Sequence, residues 1–204
     1  MIRKSYLIKL NQKCNKLCSE IKYSILNKEN YSVSSLPTKG TSFLGYKRGF
    51  FEQFQLQTKG LKESEKIRTN CKSYLEIFRD KEKRVVQINS IKEGKIDCVH
   101  QAYYENDTMY LFPFSETGYT YPTYIYASKQ TNSFVQEEYM VNKNQIIYEK
   151  YDRKKDYVKY ESINYVINGK HPVLSNETGV FSFNPFDYKI KSIDSWFDKT
   201  RENS

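Results

Sequence analysis

Histidine occurs only twice in this chain of 204 residues, at His100 and His171, and cysteine four times, at Cys14, Cys18, Cys71 and Cys98. Four cysteines allow three pairings, but a density of about two per hundred residues does not make a disulfide scaffold. Reduced thiols are the default reading. No run approaches the roughly 18 apolar residues that would carry a helix across a bilayer. The opening stretch, residues 1–10, is interrupted by Lys4 and Lys9 and lacks the apolar core and cleavage site of a secretory signal. The expected compartment is therefore cytoplasmic, or periplasmic or secreted where a leader has already been removed. Without a leader the sequons at Asn30, Asn106 and Asn176 carry no weight. The chain also lacks a phosphate-cradling Gly-rich loop, an H-E-x-x-H pair and a G-x-S-x-G elbow. A binder is expected rather than an enzyme, with no cofactor and no metal.

What the chain has is charge and tyrosine, unevenly placed. Residues 1–50 hold ten Lys/Arg against Glu20 and Glu29, a local net of +8 within an overall +9. Residues 101–204 are nearly neutral yet carry most of the aromatics, out of 19 Tyr and 12 Phe in all. One sign of charge gathered in one segment points to a contact surface. Tyrosine offers a large apolar ring and a hydroxyl that needs a partner or water, so a β-rich core with tyrosine at its margins is expected.

Leu7, Leu10, Cys14, Leu17, Ile21 and Ile25 recur at three- and four-residue steps, the signature of one helical face. Lys9, Lys13, Lys16 and Lys22 fall off that stripe, which predicts an amphipathic helix with a cationic outer side. Residues 27–37 read as a loop ending at Pro37. An aromatic patch follows at Phe43, Tyr46, Phe50, Phe51 and Phe54, with a first strand around Phe54–Leu56.

Beyond residue 72, short runs of β-formers alternate with polar turns. Strands are expected at 73–78, 84–91, 96–105, 108–114, 119–128, 133–141, 145–151 and 157–167. The chain after 168 reads as less regular, with Phe181, Phe183, Phe186, Trp196 and Phe197 anchoring one strand and a short helix. The expected fold class is α+β: an N-terminal amphipathic helix packed on a large antiparallel β-meander, as a twisted sheet or partly closed barrel. A single domain over 1–204 is expected, with a basic helical segment 1–36, the meander over 50–167 and an irregular segment 168–204.

Few constellations carry chemistry. Cys98 and His100 stand two apart and share a strand face, a spacing that suits two metal ligands or a thiolate–imidazole pair. Core packing is the preferred reading. Cys14 and Cys18 lie one helical turn apart and also fit the apolar stripe. Asp80 with Glu93–Gly94–Lys95 loosely matches a nuclease cation seat, but a hairpin turn explains Glu93–Gly94 better.

The densest aromatic cluster holds Tyr119, Tyr121, Tyr124 and Tyr126 around Pro122, which marks an edge strand or bulge. These tyrosines, with Lys9, Lys13, Lys16, Lys47 and Arg48, are the expected contact residues. The expected function is a non-enzymatic binding protein with one protein partner, acidic in character. A bacterial immunity-type protein that sterically neutralises a toxin is the concrete form of that expectation, by general character alone. The alternatives are a basic nucleic-acid-binding protein stacking bases on Tyr46, Phe50 and Phe51, and a carrier holding a lipid or other apolar ligand in a half-barrel sheet.

Overall fold

Leu7, Leu10, Cys14 and Leu17 form the buried side of a 17-residue helix, α1 (Lys4–Glu20), as their spacing predicts. The computed structural model describes residues 4–37, 63–66, 71–115, 125–131, 134–154, 157–167, 173–183 and 190–201. The charges of α1 run against its dipole. Lys4 sits in the first turn, Glu20 closes the last, and neither end has a compensating charge. The helix is therefore held by packing rather than by its own termini. It stops short of Ile21 and Ile25, which were expected to extend the stripe. Ile25 is 88% exposed. Beyond the helix, the Ser24 backbone bonds the side chain of Gln101, 77 positions later.

The chain divides into two compact units, Met1–Glu20 with Tyr126–Ser204, and Ile21–Ile125. In the first, α1 lies against strands that form far later in the chain. Antiparallel pairing runs in chain order through β7 (Phe134–Val141), β8 (Gln145–Arg153), β9 (Tyr157–Val166), β10 (Val173–Phe183) and β11 (Ile190–Arg201). The Tyr6 ring meets Tyr148 edge-on at 6.0 Å, and its hydroxyl donates to Glu137 at 3.1 Å. Asn11, buried on the helix's apolar side, donates to the Asn142 carbonyl at 2.8 Å, which satisfies its amide inside the contact. The Lys4 ammonium stands 5.6 Å above the Tyr165 ring. β10 and β11, in the segment expected to be irregular, are instead 11- and 12-residue strands. No short helix forms in them.

The second unit holds β1 (Ser32–Pro37), β2 (Ser73–Arg79), β3 (Val85–Lys92), β4 (Lys95–Glu105) and β5 (Thr108–Phe114), again antiparallel in chain order. β1 occupies part of the expected loop. Pro37 is tolerated because β1 stands at one end of the pairing order, an edge strand. The outer side of β1 is bridged by Ser64, whose N–H and carbonyl both bond Ser35. Arg79 reaches Ser34 at 2.8 Å and Glu63 at 3.1 Å, tying that cover to β2.

The turns obey local chemistry. Glu93 and Gly94 take φ of 51° and 77°, so the two-residue β3–β4 loop has the twist that suits a tight hairpin. Asp80 accepts from the Glu82 and Arg84 backbone N–H groups and closes the β2–β3 turn. β6 (Ile125–Thr131) begins at the division between the units.

The architecture is α+β, and within each unit the antiparallel strands pair in chain order, as in a meander. Among the described residues the strands do not close into a barrel, since β1 and β11 stand at the two ends of the pairing order. Tyrosine is not confined to the margins. Tyr110, Tyr139, Tyr148, Tyr151, Tyr160 and Tyr165 are each at most 5% exposed and supply much of the core. The expected strand near Phe54 and its aromatic patch lie outside the described residues.

The two members of the predicted stripe are expected to behave oppositely. Leu7→Ala should cost about 2–5 kcal/mol in urea unfolding, as a buried leucine does. Ile25→Ala should stay within about 0.5 kcal/mol, because nothing packs on it. Equal losses would place Ile25 in the core after all.

Candidate functional sites

On the side of α1 away from its apolar stripe, Lys9, Lys13 and Lys16 recur at four- and three-residue steps, and all three are exposed. Gln12 and Asn15 stand exposed among them. Lys16 lies 3.8 Å from Glu20, an exposed pair of the kind that contributes little stability. This stripe can attract and orient an anionic surface, but it carries no group suited to bond making. Of the expected contact residues, these three alone are placed together. Lys47, Arg48, Tyr119, Tyr121 and Tyr124 lie outside the described residues, and Tyr126 is the second residue of β6.

Cys98 and His100 do meet. Cys98 Sγ lies 3.8 Å from Nδ1 and 3.9 Å from Nε2 of the imidazole. They share a face because the β-bulge falls just before them, where Asp97 is the extra residue opposite Ser90 and Ile91. Burial governs the chemistry of the pair. Desolvation, aided by the Asp97 charge, pushes the Cys98 thiol up to about 12. Desolvation alone brings His100 down to about 4. A thiolate–imidazolium pair needs both shifts in the other direction. Both shifts favour a thiol beside a neutral ring at neutral pH.

The other acidic and thiol candidates are also spoken for. Asp80 accepts from Arg84 Nε at 2.9 Å as well as from its own turn. Slight desolvation raises its pKa, but the hydrogen bonds and charge of Arg84 outweigh it and hold the carboxyl below its ordinary value. A carboxylate so engaged is a turn clasp. Cys14 is fully buried, and desolvation pushes its thiol up to about 12. All four cysteines are free. Among the described residues no three His, Cys, Asp or Glu side chains converge as a metal site, and no helix is long and apolar enough to cross a membrane.

Several polar groups were not anticipated. Glu138 is only 3% exposed, and the Tyr151 hydroxyl stands between it, at 2.9 Å, and Glu149. Alternation along β7 puts Glu138 on the same face as Met140, so no sequence pattern announced a buried carboxyl. Tyr103 and Tyr104 are 37% and 38% exposed at the end of the β4–β5 hairpin. Tyr104 donates to the Val85 carbonyl at 2.9 Å with the Arg84 guanidinium 5.8 Å from its ring, so it is fixed in place. Their position immediately before the Asn106 turn was the available signal. A buried row of amides, Gln87, Asn89 and Gln101, crosses β3 and β4.

No family model matches this chain, and no curated protein or solved structure is significantly similar to it.

His100 makes stability sensitive to acid. Its ordinary value of 6.5 applies to the unfolded chain, which therefore binds a proton between about 6.5 and about 4 that the folded protein does not. Stability is accordingly expected to fall as pH drops through that window, by about 3 kcal/mol when complete. His100→Gln should flatten that part of the profile. Thermal unfolding between about pH 7 and about pH 4 reads it, and an unaltered slope in the variant would assign the acid sensitivity elsewhere.

Proposed function

We propose that the protein is a non-enzymatic binding protein that acts by contact with one macromolecular partner. The observation that carries this reading is the division of labour in α1. Its apolar side is consumed by the sheet, while Lys9, Lys13 and Lys16 stand exposed along the other side. Such a stripe suits an acidic protein surface, with charge steering encounter and aromatic anchors supplying most of the affinity. The neutral Cys98–His100 pair supports contact over catalysis. In its concrete form the proposal is an immunity-type protein that covers and so neutralises a toxin, a step that rests on general character.

The same stripe favours a second reading, nucleic-acid binding, since phosphates are the commonest partners of clustered lysines. Salt separates the two. Three phosphate contacts give a log–log salt slope of about −3 on duplex DNA.

Affinity capture from the source cell should return one stoichiometric protein. With that partner immobilised, the triple change Lys9→Glu, Lys13→Glu, Lys16→Glu should slow association by about tenfold and leave dissociation nearly unchanged. An unaltered association rate would remove α1 from the contact, and a steep salt slope on nucleic acid with no protein captured would favour the second reading.

A further inference from the structure

Between α1 and β1 the backbone of residues 21–27 takes no regular secondary structure, yet it is held against the sheet of the Ile21–Ile125 unit. The Tyr23 ring lies 5.6 Å from that of Phe114, and the Lys28 ammonium stands 5.6 Å from the Phe78 ring. The firmest grip is on Ser24. Its N–H donates to Gln101 Oε1 at 3.1 Å, while Gln101 Nε2 donates back to the Ser24 carbonyl. The side-chain amide thus serves Ser24 as a neighbouring strand would, satisfying both its backbone groups.

Gln101 does not stand alone. Register places Gln101 opposite Gln87 and Asn89 opposite Glu76, on one face of the sheet. Gln101 Nε2 donates to Gln87 Oε1 at 3.4 Å, Gln87 Nε2 to Asn89 Oδ1 at 2.8 Å, and Asn89 Nδ2 to Glu76 Oε2 at 3.3 Å. Each bond between neighbours in this row is donated in the direction of Glu76, while Gln101 Nε2 also serves the Ser24 carbonyl and hydroxyl. The three amides are buried, whereas Glu76 is half-exposed. A carboxylate at one end orients each amide dipole in turn, and hydrogen bonds in such a chain polarise one another. Reversal of any amide would set donor against donor, so the row has one favoured sense.

We propose that residues 21–30 form a strap latched on the sheet by Gln101, and that Glu76 sets the strength of the latch through the amide row. The carboxylate is the accessible end. A cationic group of a partner arriving there competes with Asn89 for it, and the competition is felt at Ser24, two strands away. The inference is independent of what α1 binds.

Amide hydrogen exchange of Ser24, followed by NMR on the full chain, tests it. Glu76→Ala and Asn89→Leu should each speed Ser24 exchange by about fivefold to tenfold, the effect of weakening one hydrogen bond. Amides of β3 and β4 should keep their protection. Glu76→Gln, whose carbonyl still accepts from Asn89, should stay within about twofold of the parent. Gln101→Ala should release Ser24 outright and speed trypsin cleavage after Lys22. If Ser24 responds to Gln101→Ala but to neither distal change, the row transmits nothing and the proposal fails. It fails equally if Ser24 and the strand amides loosen together, or if Gln101→Ala leaves Ser24 protected.

Discussion

The contact on which one unit depends joins residues 131 positions apart. Tyr6 to Glu137 and Asn11 to Asn142 are hydrogen bonds of that separation, and Tyr6 on Tyr148 spans still more of the chain. A helix with its end charges reversed has little reason to persist alone. It persists because Leu7, Leu10, Cys14 and Leu17 are buried while Tyr6 and Lys4 meet Tyr148 of β8 and Tyr165 of β9. The entropy of closing so long a loop must be met before any of that burial is gained. Such topology makes folding slow compared with a chain of local contacts.

Desolvation rules the interior chemistry in the same way. Where a polar group is buried, either a partner satisfies it or its charge is removed. Asn11, Gln87, Asn89 and Gln101 follow the first route, each with a hydrogen bond to strand, turn or strap. Cys98 and His100 follow the second and remain neutral. Lys9, Lys13 and Lys16 of α1 escape both constraints by facing water.

Legibility tracked the range of the interaction. β2, β3, β4, β5, β7, β8 and β9 fall within a residue or two of their expected spans, because alternation and turn residues are local. Glu93–Gly94 and Asn106 mark their hairpins for the same reason. β1 was missed since its serines resemble a loop until Glu63, Ser64 and Lys66 satisfy them. After residue 168 one strand and a short helix are expected where β10 and β11 form, because their polar residues hide the alternation that register on β9 enforces. Of the expected contact residues, only Lys9, Lys13 and Lys16 were readable as one surface, from helical spacing alone.

By itself the sequence determined where hairpins turn, which residues alternate and which side of α1 is apolar, since each is settled within a few residues of backbone. Tertiary structure alone decided what covers that side, where the helix stops, that tyrosine fills the core, and that Ser24 is gripped by a glutamine 77 positions later. Those outcomes turn on which distant groups are brought together out of water, and burial has no signature in any short stretch of chain.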